Sequence, residues 1–499
     1  MIGQTPDATV RTSKLPGGVA PAVVWRAGVP VLVGVGLALL PAPQGLAPHA
    51  WHYFALFAAV ILALITEPIP AAAVGVIGVT VAATFGLVFS PAQTADPAFR
   101  LPAESLRWAL AGFANGTVWL IFAAFVFAMG YEKTGLGRRI ALVLVKRLGG
   151  RTLGLGYAIA LSDLVLAPFT PSNTARSAGT IFPVIRSIPE LYGSAPGESA
   201  RRIGAYVMWV AFATTCVTSS MFVTALAPNL FALELVRNIT GVEITWTGWF
   251  VGFLPIGGPL VILLPWLVYK LYPPGIRTSA EVPRWAAQEL EKLGGLSVKE
   301  AIMGALVTLA LALWIFGSAV IDPTMVALVG ISLMLICAVV TWDDILANRT
   351  AWNVLVWFAT LVVMADGLNK AGVVGWIGRG ATALLAGQSP LVVMTLLVVL
   401  FFVVHYVFAS LTAHATALLP VIVAAGAAVP GMPVPAFVML LVFSLGIMGV
   451  LTPYATGPAP VYFASGYISR KDFWVLGLIF GMIYLGALLI IGVPYLMLW

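Results

Sequence analysis

The chain has 499 residues, 61% of them hydrophobic and 9% charged, with a mean hydropathy of +1.01. A soluble domain carries about 25% charged residues, so this composition excludes one and indicates a polytopic helical membrane protein. Continuous rather than alternating apolar runs exclude a membrane β-barrel, and the net charge of +7 reports topology, not nucleic-acid binding.

Residues 1–26 read as a polar cytoplasmic tail without the apolar core and cleavage site of a signal peptide. A leading span is expected within 27–50, then spans near 52–66, 69–89 and 115–131. The basic stretch 132–151, with Lys133, Arg138, Arg139, Lys146, Arg147 and Arg151, fits a helix lying on the cytoplasmic surface. Residues 153–187 are apolar but interrupted at "PFTPSNT". Each half is too short to cross about 30 Å at about 1.5 Å per residue. The segment therefore predicts a re-entrant hairpin, whose broken backbone protein or a water-filled cavity must satisfy. A broken span over 203–236 and a span over 247–271 close a first unit, 51–271.

The mixed-charge stretch 272–299 reads as a cytoplasmic linker, and a second unit, 300–499, repeats the order. Its spans lie near 301–318, 324–341 and 352–368, then an amphipathic stretch 370–387, a second hairpin 389–428, a broken span 434–466 and a last span 473–497. The fold class is thus all-α, with about 11 spans: one leading span and two five-span repeats. Five is odd, so the repeats are inverted and one hairpin enters from each side. With the N-terminus inside, about 20 of the 26 Lys and Arg fall on the cytoplasmic side and the C-terminus lies outside.

Short strings support the repeat. "EKTGLG" pairs with "NKAGVV", "PSNTARSAGTIFPV" with "ASLTAHATALLPV" and "VTALAPN" with "ATGPAPV", at offsets of 237, 238 and about 232 residues. Inverted repeats with broken helices in matching places point to the binding site of a secondary transporter. A break in mid-membrane exposes helix N-termini, which favour anions. Ser172, Asn173, Thr174, Ser410 and Thr412 add short donors there, beyond any role as helix caps. Two such tips facing each other suit an anion with a carboxylate at each end. Thr224 and Thr456 are expected to line the site; Pro228, Asn229, Pro458 and Pro460 mark helix breaks.

At these residues the chain resembles the divalent anion/sodium symporter family, marked by a Ser-Asn-Thr triplet at each of two hairpin tips. The first is intact, Ser172-Asn173-Thr174; the second reads Ser410-Leu411-Thr412. The strings "PSNTAR", "TSSMFVTALAPN", "SLTAH" and "TPYATGPAP" look most like the branch of citrate/succinate and tartrate/succinate antiporters and plastidic 2-oxoglutarate/malate translocators. The resemblance implies a homodimer, with a scaffold and an elevator-like transport part. It also implies di- or tricarboxylate substrates: succinate, malate, fumarate, 2-oxoglutarate, tartrate or citrate. In sodium-coupled members each tip also cradles sodium. Leu411 puts the second ion site in doubt, while Ser172 and Asn173 leave a residual first site open.

Arg176 and His414 each follow the tip serine by four residues. They are expected to supply fixed positive charge where relatives use sodium, since two carboxylates in a low-dielectric site need compensation. The competing reading pairs Arg176 with Asp163. Lys133 and Lys370 read as interfacial anchors and His405 as structural.

The expected function is sodium-independent exchange of di- or tricarboxylates across a bacterial-type inner membrane, with no cofactor. Sodium-coupled symport of the same substrates is the alternative, and a smaller anion such as sulfate ranks third. An enzyme is disfavoured because no HExxH, P-loop or nucleophile–base set appears. A channel is disfavoured because two opposed closed hairpins imply alternating access. Cys216 and Cys337 read as small buried hydrophobes in apolar runs, not a disulfide or metal pair.

Overall fold

A computed structural model describes residues 21–278, 280–317, 319–385 and 387–498. Most of the expected N-terminal tail lies outside them. The described secondary structure is helical, apart from a single bridge between Arg151 and Thr278. The chain is an all-helical polytopic membrane protein. Eight helices among the described residues are long and apolar enough to cross a membrane, including Pro48–Thr66, Trp246–Leu271, Arg349–Lys370 and Arg470–Met497. About 11 spans were expected from sequence; several of the missing ones are short or broken.

Two short helices show why. Ala71–Thr84 and Pro323–Ile336 have 14 residues each, about 21 Å at about 1.5 Å per residue. Both start beside a proline and stop at a left-handed residue, Gly86 or Ala338. Past the stop, a backbone N–H reaches back to the last turn: Leu87 to Ala82 at 3.0 Å and Val339 to Met334 at 2.9 Å. These bonds satisfy end carbonyls as in a Schellman cap. Each follows a helix of 19 residues, Pro48–Thr66 or Val298–Phe316.

The helix Leu101–Leu110 was not anticipated. It and the helical turn Ala111–Ala114 that follows lie against Arg349–Lys370, most closely at Gly112, where a Cβ would come 2.0 Å from the Ala359 carbonyl oxygen. Asn115 then caps Gly116–Thr134, accepting from the Val118 N–H at 3.3 Å. Gly135 turns the chain with φ +77 into the amphipathic helix Leu136–Leu148. The linker carries a 13-residue helix, Glu281–Leu293, packed on that amphipathic helix. Ion pairs join them: Arg138 to Glu289 at 2.8 Å, and Arg139 to Glu300 just beyond the linker at 2.6 Å.

The core is built on two interrupted helices. Gly204–Met221 is buried along its whole length, and Val434–Ile447 from Ala436 onward. They cross closely at Gly446, where a Cβ would meet the Ser220 hydroxyl at 2.4 Å. Ser220 donates to the Phe443 carbonyl at 2.7 Å, and its own carbonyl accepts from the Trp249 indole at 2.8 Å. Large apolar side chains face outward on the surrounding helices, such as Ile262, Leu396 and Ile490, as a lipid-facing surface requires.

Candidate functional site

Two helix–tip–helix segments lie where the hairpins are expected, although the first arm of each, within Thr152–Phe169 and Pro390–Val407, is itself long and apolar enough to cross a membrane. Hairpin 1 runs from Thr152–Leu166 through the tip to Thr174–Ile181, a widened π-helical turn. Pro171 keeps Thr170 extended, at φ -126 and ψ 97, as a residue preceding proline prefers. Ser172 then accepts from the Ala175 N–H at 3.2 Å. Hairpin 2 runs from Pro390–Val404 to Leu411–Ala427, with Ser410 as N-cap accepting from the Ala413 N–H at 3.3 Å.

Each core helix breaks beside a tip. The first stops at extended Phe222 and restarts at Ala227 after extended Leu226. The Ala227 N–H donates to the Pro171 carbonyl at 2.7 Å, fixing break to tip. The second passes through Met448–Val450 and restarts at Ala459.

Tips and breaks enclose a cavity of about 310 Å³. Ser172, Asn173, Thr174, Ser410, Thr412 and Thr456 line it, opposite an apolar wall of Phe125, Val354, Trp357 and Phe358. The Asn173 amide donates to the Thr456 hydroxyl at 2.8 Å, tying tip 1 to the second break. Gly457 permits that approach, since a Cβ there would sit 1.8 Å from the Thr174 hydroxyl. Hydroxyls, an amide and the starts of Leu411–Ala427 and Ala227–Thr240 face the space, and among the described residues no Lys, Arg or His lines it. Such a set can bind an anion through N–H and O–H donors and the positive ends of helix dipoles.

Three expected site residues are not brought there. Arg176 is fully buried behind tip 1, and its Nε donates to Asp163 at 3.1 Å. Its Nη1 donates to the Thr170 and Ala225 carbonyls at 3.0 and 2.9 Å, and its Nη2 to the Ser219 hydroxyl at 3.1 Å. Asp163 on the first arm draws the guanidinium away from the cavity, where it was expected to meet substrate. The competing ion-pair reading describes its position. His414 is packed among Phe401, Phe408 and His405, with ring centroids 4.4, 4.9 and 4.9 Å away. Thr224 donates to the Pro168 carbonyl at 2.6 Å and accepts from the Trp246 indole at 3.2 Å, which anchors hairpin 1. His405 reaches the Ala455 carbonyl at 2.8 Å and ties hairpin 2 to the second break.

The sequence leaves a residual sodium site open beside Ser172 and Asn173. The nearby Thr170 and Ala225 oxygens already accept from a fixed cation. At tip 2 the side chain of Leu411 offers no oxygen. Among the described residues no group of three or more His, Cys, Asp or Glu is placed to hold a metal.

A wider cavity of about 730 Å³ opens toward tip 1 and shares Phe125, Ser172 and Thr174 with the first. Glu132, Asp344 and Asn348 line its outer part. Lys133 is hydrogen-bonded to Asp344, and with Thr341 it holds that carboxyl well below the usual range. No sequence signal marks the apolar wall, because its residues sit in apolar runs without polar markers.

The sequence model described as "Sodium:sulfate symporter transmembrane region" matches residues 22–499. The citrate/succinate antiporter of Escherichia coli (strain K12) is 51% identical over 479 residues, covering 95% of this chain and 98% of that protein. The L-tartrate/succinate antiporter of Shigella sonnei (strain Ss046) is 49% identical over 471 residues, covering 94% and 97%. Among solved structures, the Alcanivorax borkumensis YdaH transporter superposes with TM-score 0.58 at 15% identity, over 85% of this chain and 98% of that one. That likeness concerns the fold alone.

Proposed function

We propose, from the premise that the chain belongs to the sodium:sulfate symporter transmembrane family, the divalent anion/sodium symporters, that it exchanges di- and tricarboxylates across a membrane. It is a transporter rather than an enzyme, and its half-identical relatives are carboxylate antiporters. One observation carries the site: two hairpin tips and two helix breaks present donors to one small cavity. In this reading Ser172, Asn173 and Thr174 take one carboxylate, and Ser410, Thr412 and Thr456 the other. Arg176 and His414 act from behind the tips. Because Asp163 neutralises Arg176, the cavity's attraction for anions rests on helix starts and hydroxyls.

Exchange is sodium-independent in this reading. Leu411 in the second triplet and the commitment of Thr170 and Ala225 oxygens to Arg176 support it. The two units are inverted repeats, supported by paired helices of 19 and 14 residues with matching C-terminal stops. Hairpins and broken helices move together as an elevator against a scaffold in a homodimer. The N-terminus is cytoplasmic and the C-terminus external in an inner membrane, as the Lys and Arg distribution supports. The intact triplet Ser172-Asn173-Thr174 favours a second reading, sodium-coupled symport.

Uptake of labelled succinate into proteoliposomes decides between them. Uptake only into vesicles preloaded with dicarboxylate, indifferent to sodium, is the expected result. Uptake into empty vesicles driven by a sodium gradient would replace exchange with symport.

A further inference from the structure

The vestibule leading to tip 1 places protein carboxylates in the path of an anion. Ser172, Thr174 and Thr180 line it on the hairpin side, and Glu132 and Asp344 on the other. Asp344 is fixed in place, because it completes the capping box of Trp342–Ala347. Its Oδ2 accepts from the Thr341 N–H at 2.6 Å and the Thr341 hydroxyl at 2.7 Å. Those bonds favour the ionised form, so a negative charge stands at the mouth whatever its neighbours do. Lys133, at the end of Gly116–Thr134, bonds the same oxygen.

The Lys133 side chain is 41% exposed, and an ion pair that exposed adds little to stability. Charges at a cleft mouth act on the approach of charged ligands. We propose that Lys133 is a charge-selectivity residue of this vestibule: by neutralising Asp344 it admits multiply charged carboxylates to tip 1. The proposal rests on the carboxylate-exchange reading. It predicts that the need for Lys133 grows with the charge of the anion. Removing it leaves Asp344 uncompensated in a vestibule that Glu132 also lines, and a trianion meets a steeper barrier than a dianion.

The test is exchange kinetics in oriented proteoliposomes, from the side on which the vestibule opens, with succinate and citrate at low and high salt. Lys133→Ala should raise KM for succinate about 3- to 10-fold and for citrate more, with kcat little changed. High salt should shrink the effect, because it screens exposed charges. Lys133→Arg should behave as wild type, and the Lys133→Ala, Asp344→Asn double variant should recover a near-normal KM. An equal fall in kcat for both anions, insensitive to salt and not rescued by Asp344→Asn, would overturn the proposal and make Lys133 a structural anchor. So would unchanged kinetics in Lys133→Ala. A wild-type protein that exchanges no carboxylate would overturn the functional reading, and this proposal with it.

Discussion

Arg176 has its guanidinium partnered by a carboxylate, two carbonyls and hydroxyls in a wholly buried setting. Breaking such a pair from one side costs about 3–5 kcal/mol, because the remaining charge is stranded. Arg176→Gln should therefore sharply lower the unfolding temperature in detergent, whereas Arg176→Gln with Asp163→Asn should recover much of the loss. Gly457 is constrained differently: a methyl there lands 1.8 Å from the Thr174 hydroxyl. Gly457→Ala should force tip 1 and the second break apart, costing about 1–3 kcal/mol and most of the exchange rate, as vesicle uptake would show. The cavity's polar half was legible in the sequence, since short polar residues beside prolines stand out in an apolar run. Asp163 was legible as a partner for Arg176, but its prevailing over the cavity was not, because the Ala225 carbonyl that also holds the guanidinium reaches it only through the first break.

Between elements, the second half of the first broken helix is held at Glu234, which is buried. Its carboxylate accepts from the Asn115 amide at 2.9 Å, the Thr117 hydroxyl at 3.3 Å and Arg237 at 2.8 Å. Glu234→Ala leaves the Asn115 amide without that acceptor and should cost about 1–3 kcal/mol in thermal unfolding. On the linker helix, Lys292 and then Arg138 hold the Glu289 carboxyl below its usual range. A lowered carboxylate pKa contributes stability that is complete above the unfolded value, about 4.3, and is lost as pH falls through the lowered folded value. Acidification below about pH 4 should therefore lower the melting temperature of wild type slightly more than that of Glu289→Gln. The linker helix Glu281–Leu293 and the helix Leu101–Leu110 escaped the sequence reading for a common reason. Their polar content breaks the apolar runs that mark spans, and their partners, Leu136–Leu148 and Arg349–Lys370, are distant in the chain.

Across the whole molecule, Cys216 is buried as expected, but Cys337, expected buried as well, is exposed because it caps the end of Pro323–Ile336, so the native cysteines report topology. A membrane-impermeant maleimide should leave right-side-out vesicles unlabelled and modify Cys337 alone once they are permeabilised. Labelling of intact vesicles would reverse the proposed orientation. The overall plan of two hairpins and two broken helices was legible because proline-marked breaks recur in one order; span lengths were not, because caps at Gly86 and Ala338 stop two helices early. That early stop has a consequence for the surrounding lipid. Ala71–Thr84 and Pro323–Ile336 bear exposed Val76, Ile77, Met325 and Val329, yet are only about 21 Å long against about 30 Å of hydrocarbon. Local thinning of the bilayer is one way to meet them, at an elastic cost that rises with acyl-chain length. Lipid thickness thus becomes a parameter of the carrier itself, and the same protein should turn over at different rates in short-chain and long-chain vesicles with every residue unchanged.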